Sequence, residues 1–205
     1  MNKIAVMVAG LFMAGAANAQ MYVDVHAGQV TADLPSVNGW TVDKKDTAYA
    51  INLGYKINNM ISVEGGYIPS IEGSYSSNTA VSGSGGGYTL TDAVFKGAVE
   101  TDGYTLGVAM DLPVNDVIDV SGRAGMFMWD AKETVTLTSG TLVYNGTTYA
   151  AGSSISGKSD GSDPYWGLGV GYKVNKNVRA GVNFTRYTVD DVDADAWTAS
   201  LRYSF

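Results

Sequence analysis

The side chains best able to do chemistry are scattered singly through stretches that alternate polar and apolar residues. They are Asp24, His26, Lys56, Glu64, Asp111, Asp119, Arg123, Lys173, Arg179 and Arg202. Each falls on the polar face of its own segment, giving four acids, five bases and one histidine on a common side. An unpartnered buried charge is very costly, so this near-balance predicts mutual pairing rather than catalysis. The expected pairs are Glu64 with Arg123, and Arg179 or Arg202 with Asp24 and Asp119. His26 is the sole histidine, and acyl or proton-transfer chemistry would have to pass through it. An interior, hydrogen-bonded histidine is the plainer reading. No catalytic, cofactor-binding or metal-binding residue is assigned, and no cofactor is expected.

The elements that would position these residues are strands. Eight segments alternate with period two: Met21 to Val30, Thr47 to Ile57, Met60 to Ile68, Gly103 to Leu112, Val117 to Ala131, Tyr165 to Val174, Val178 to Val189, and Trp197 to Phe205. In the second, Tyr49, Ile51, Leu53 and Tyr55 oppose Ala48, Ala50, Asn52 and Gly54. In the last, Trp197, Leu201, Tyr203 and Phe205 oppose Thr198, Ser200 and Arg202. Apolar residues on one face and charges on the other suit a wall between lipid and a polar lumen. Connections alternate in length. Asn58-Asn59, Pro113 to Asp116 and Asn175 to Asn177 are tight turns, whereas 31–46, 70–102, 132–164 and 190–195 read as the longer class. The Ser/Gly-rich stretch Ser76 to Tyr88 is expected to be mobile. Ser139-Gly140 and Asn145-Gly146 read as hairpin turns, with the fifth and sixth strands projecting as a ribbon. The Asn145-Gly-Thr147 sequon is read as a turn only.

Composition narrows the class further. Lys plus Arg number 13 against 20 Asp plus Glu, a net charge of −7, which argues against nucleic acid. Cysteine is absent, which excludes disulfide staples and thiol catalysis. Tyrosine outnumbers phenylalanine 13 to 5, as an interfacial girdle requires. Lys3, the apolar run Ile4 to Ala17 and the small-x-small site Ala17-Asn18-Ala19 predict a signal peptide over 1–19 and a mature domain over 20–205. The glycine runs 82–87 and 167–171 do not sit between a strand and a helix, so they are not phosphate-cradling loops. Gly167, Gly169 and Gly171 are expected to keep one lumen column narrow.

Several motifs resemble the membrane domain of outer membrane protein A and its opacity-type small-barrel relatives. They are Leu53-Gly-Tyr-Lys-Ile-Asn-Asn59, Ser62-Val-Glu-Gly-Gly-Tyr67, Gly122-Arg-Ala-Gly-Met-Phe-Met-Trp129, Gly167-Leu-Gly-Val-Gly-Tyr172 and Leu201-Arg-Tyr-Ser-Phe205. The resemblance implies an all-β, eight-stranded antiparallel up-and-down transmembrane barrel in the outer membrane of a Gram-negative bacterium, with long loops outside and termini in the periplasm. It implies a lumen of mutually neutralising charges, with Glu64 and Arg123 at matching positions; strand parity adds Asp24, Asp111, Asp119, Arg179 and Arg202 to the expected network. The resemblance also implies outer-membrane lipid, lipopolysaccharide and the assembly machinery as partners, with no nucleic acid. Asn183 and Ala109 depart from charged positions of the family, and no counterpart of its peptidoglycan-binding domain is expected.

Three functions are compatible with this reading. The first is a non-enzymatic barrel that supports the envelope and presents surface loops for adhesion or receptor-type contact. The second is a small gated pore for ions or solutes; the third is a lipid-modifying enzyme, which His26 alone would have to serve. A soluble barrel would carry its apolar residues inward instead. The acidic run Asp190 to Asp195 lacks the glycine and terminal glutamate of a calcium loop and is expected to be a solvated loop, one able to share divalent ions with lipopolysaccharide phosphates.

Tyr203 and Phe205 are expected to act as a C-terminal assembly signal. Phe205→Asp should lower the amount of folded, heat-modifiable protein in the membrane, as read on gels of unboiled and boiled samples. Wild-type amounts in this variant would remove that role.

Overall fold

The computed structural model describes residues 20–34, 39–77 and 79–205, so the leader expected over 1–19 lies outside the described residues. Among the described residues eleven strands follow one another: β1 (Met21–Ala32), β2 (Trp40–Asp43), β3 (Lys45–Lys56), β4 (Ile61–Ser77), β5 (Val81–Gly85), β6 (Tyr88–Pro113), β7 (Ile118–Tyr144), β8 (Thr147–Ala150), β9 (Ser154–Lys173), β10 (Val178–Val189) and β11 (Val192–Ser204). Eight of them form the wall. β1, β3, β4, β6, β7, β9, β10 and β11 pair antiparallel in that order, and β11 returns to β1. The closing seam runs without a break from Tyr22↔Ser204 to Ala32↔Ala194. Closure leaves the wall no free edge, the condition for a sheet to sit in hydrocarbon.

Side-chain parity sets the two surfaces. Leu106, Val170 and Trp197 point outward at 58, 55 and 62% exposure, whereas Ser62 and Glu64 on the lumen face are 2% exposed. This is the reverse of a soluble barrel, and it makes the wall a transmembrane one. Three turns close one rim by the same device. In each, an Asn side chain folds back on its own backbone: Asn58 Oδ1 accepts from the Met60 and Ile61 amides at 2.8 and 2.9 Å. Asn115 does the same for Val117 and Ile118, and Asn175 for Asn177 and Val178. Both ends of the described chain lie at this rim, where Lys56 N–H donates to the Gln20 carbonyl and Phe205 N–H to that of Met21.

The opposite rim departs from the expected loops. Much of 70–102 and 132–164 is strand, because β4, β6, β7 and β9 continue past the barrel wall. A membrane crossing takes about 9–11 residues, and β6 and β7 have 26 and 27. The part of β6 from Tyr88 to Val99, at about 3.3 Å per residue, gives a ribbon of roughly 40 Å. The interruption in β4 falls between Ile68 and Ile71, where Pro69 cannot donate to the ladder. Within the ribbon, Tyr75 lies over Gly97, where a Cβ would strike its ring, and donates to Glu133. Burial and that hydrogen bond push the Tyr75 hydroxyl up to about 12.

Three turn assignments change. The Ser/Gly stretch is a hairpin: Gly86 and Gly87 take positive φ of 53° and 83° and join β5 to β6. Ser139-Gly140 is not a turn but part of β7, where Gly140 (φ 77°) faces a register shift around Asp92 (φ 46°). Residues 190–195 are not a loop either. Asp190 and Asp191, at φ 48° and 66°, make a two-residue turn directly between Val189 and Val192. Asn145-Gly146 does form the β7–β8 turn, with φ of 47° and 79°.

Candidate functional site

The lumen near the turn rim holds a compact set of charges drawn from six strands. Arg202 on β11 is its centre. Its Nε and Nη2 each lie 3.1 Å from Asp24 Oδ2 on β1, and its Nη1 donates to Asp111 Oδ2 on β6 at 2.5 Å. Its Nη2 is also 3.6 Å from Glu64 Oε1 on β4. The guanidinium lies 4.2 Å from the centre of the Tyr22 ring, and the Tyr22 hydroxyl donates to Glu64 Oε1 at 2.6 Å. Arg123 on β7 approaches Glu64 Oε2 and Asp24 Oδ2, both at 3.8 Å. Arg179 on β10 grips Asp119 through Nε at 2.8 Å and through Nη2, and reaches Ser121 at 3.3 Å. Asp24, Glu64, Asp119, Arg179 and Arg202 are all buried.

All seven residues expected in the lumen network are therefore brought together, Asp111 at its more open lower edge. Lys56 and Lys173 lie below, around a mouth cavity of about 190 Å³ at the turn rim. Room for the arginines comes from the β9 glycines. A Cβ at Gly171 would occupy the Arg179 guanidinium, and one at Gly167 would press on the Arg123 stem. Tyr22 was not among the expected site residues. Its signal was available, since it stands two residues before Asp24 and shares its face.

His26 sits above Arg202 with its Nδ1 3.2 Å from Thr198 Oγ1 and its Nε2 3.5 Å from both Asp24 Oδ1 and Arg123 Nη1. A carboxylate, an imidazole and a hydroxyl are thus in line, but the gap beside His26 and Arg123 measures about 20 Å³. That is room for about one water molecule and no acyl substrate. Higher still, an aromatic layer crosses the lumen: Phe127 and Tyr187 have ring centres 5.3 Å apart, and Tyr165 stacks on Tyr187 at 5.7 Å.

At the ribbon rim Arg186 lies opposite Asp195 and binds it with two hydrogen bonds, of 2.6 and 2.7 Å, while its Nη1 reaches Asp193 at 3.2 Å. A cation partner for these carboxylates is thus supplied by the chain itself. Among the described residues no cluster of three or more His, Cys, Asp or Glu is placed to hold a metal ion. At the other rim Tyr203 faces outward and meets Phe205 edge-on at 5.3 Å.

A closed barrel with an apolar outer wall and ionised residues locked inside defines a small transmembrane barrel of the outer-membrane type. The family comparison agrees. Residues 4–205 match the outer membrane protein beta-barrel domain, and the chain belongs to that family. No curated protein matches the chain by sequence. Among solved structures it is similar to the attachment invasion locus protein of Yersinia pestis in complex with the heparin analogue sucrose octasulfate (15% identity, 91% of this chain and 97% of that one, TM-score 0.49). It is also similar to Neisserial surface protein A (17%, 90% and 97%, 0.45) and to OprG of Pseudomonas aeruginosa (13%, 91% and 96%, 0.47).

Glu64→Ala removes the shared acceptor of Tyr22, Arg123 and Arg202. Loss of one partner from a buried ionic set costs about 3–5 kcal/mol. Urea unfolding from lipid vesicles should show a loss of that order, and Glu64→Gln, which keeps an acceptor for Tyr22, a smaller one. A loss below about 1 kcal/mol for Glu64→Ala would mean that these charges do not depend on one another.

Proposed function

We propose that the protein is a non-enzymatic component of the outer membrane that supports the envelope and presents the β6–β7–β9 ribbon outside the cell for adhesive or receptor-type contact. The observation carrying this reading is the ribbon itself. Strands of 26, 27 and 20 residues raise Tyr88, Tyr144 and Ile155, all exposed, well beyond the wall. β5 and β8 flank it as short outer strands. A membrane anchor alone has no use for such a projection. Turns on one rim and projecting strands on the other favour a periplasmic turn rim that also holds both termini.

Two features favour this reading over its alternatives. The Arg202 cluster fills the lumen with paired side chains, which speaks for a scaffold rather than an open pore. The enclosed setting of His26 speaks against lipid-modifying catalysis.

The test is removal of the ribbon. Replacing 76–96 and 136–154 each by an Asn-Gly turn should leave a heat-modifiable barrel. Cells carrying this variant should be retained less than wild type on matrix-protein-coated surfaces. Equal retention with equal surface amounts would remove the contact role.

A further inference from the structure

The lumen changes character above the aromatic layer. A cavity of about 240 Å³ opens there toward the ribbon rim, walled by Val30, Ile71, Val99, Phe127, Trp129 and Val192. Phe127 and Tyr187 form its floor and separate it from the charge cluster. One wall is held rigidly. The Trp129 indole donates to Asp163 at 2.7 Å, and its ring lies over Gly161, where a Cβ would strike it.

Three charged side chains line this cup: Lys44, Glu72 and Asp190. The Lys44 amine donates to the Leu34 carbonyl. Arg186, the nearby guanidinium, is engaged by Asp193 and Asp195. Among the described residues neither Glu72 nor Asp190 has a cationic partner within 4.0 Å. Lys44 supplies one positive charge against the two carboxylates, so the rim carries a net charge of −1 over an apolar interior, which is complementary to a molecule with a greasy body and a positive head.

We propose that this cup binds a small cationic amphiphile, its apolar body against Phe127 and Trp129 and its head at Glu72 and Asp190. A dry cavity of about 150 Å³ accepts benzene, so 240 Å³ suits a body of about eight to ten carbon atoms. The two ends of the lumen then have separate tasks. The charge cluster blocks passage, and the cup captures from the ribbon side. This is independent of surface contact by the ribbon.

The test uses the intact protein in lipid nanodiscs, with octyltrimethylammonium and octanoate as probes and the Trp129 indole N–H resonance as the readout. The cation should give a saturable shift, and octanoate should bind about tenfold more weakly. Glu72→Lys combined with Asp190→Lys should reverse that order. Ala131→Phe, or Val99→Phe if the first variant fails to fold, fills the cup and should abolish the shift while leaving the barrel heat-modifiable. A shift that never saturates, or that is equal in the filled variant, shows partition into the bilayer only and overturns the site. Equal affinity for the two probes overturns the assignment of the cationic head.

Discussion

Arg202 makes sequence-distant strands depend on one another. It stands on the last strand and is met by Asp24 from the first, Glu64 from β4 and Asp111 from β6. Inside a barrel with lipid around it, Asp24, Glu64 and Arg202 have no bulk water to fall back on, and Asp111 alone of the four opens toward the mouth cavity. Their desolvation is offset only by mutual pairing, and removing one member leaves the others uncompensated. The geometry around Arg202 follows from that constraint. Tyr22 lies against its guanidinium and turns its hydroxyl to Glu64, while the glycines of β9 clear space for Arg179 and Arg123. The seam between β1 and β11 is stitched by backbone hydrogen bonds, and across it Asp24 and Arg202 are register partners.

The barrel is therefore asymmetric along its axis. Just above the mouth cavity of the turn rim, the lumen is ionic and filled by paired side chains. Midway it is aromatic, through Phe127, Tyr165 and Tyr187. At the ribbon rim it is apolar and open enough for a cavity. The outer wall carries no such charge, because lipid demands an apolar band there, flanked by aromatic residues at its edges. Axial differences in charge are placed on the lumen side, where successive residues of a strand meet different neighbours.

The difference between wall and ribbon also explains what the sequence could reveal. Wall strands keep their outer face apolar throughout and their lumen face polar toward the turn rim. Tyr104, Leu106, Val108 and Met110 against Thr105, Gly107 and Ala109 could hardly be read otherwise. The lumen charges were legible for the same reason, because one parity assignment places every residue of a strand. The ribbon was legible in part. The fifth and sixth strands were expected to project, and they do as β7 and β9, but most of 70–102 was read as loop and is strand. Thr134 to Thr138 alternates, and Ser139-Gly140 then breaks the pattern, although β7 stays paired with β6 on both sides of the break. Dipeptides misled where one residue type serves two geometries. Gly140 takes a positive φ to make a bulge, and Asn145-Gly146 does so to make a turn. Asp190-Asp191 looked like part of a solvated loop because the acids after it are charged, yet Asp193 and Asp195 are paired with Arg186 one strand away.

The central claim is that the side chains around Arg202 close the lumen. It is tested most directly by electrical recording from the purified, unmodified protein in a planar lipid bilayer. A lumen filled by Asp24, Glu64, Asp111, Arg123 and Arg202 should give no steady conductance above the bare membrane. Large, stable channels from correctly folded, heat-modifiable protein would contradict it, because ions could then pass only if these pairs were open.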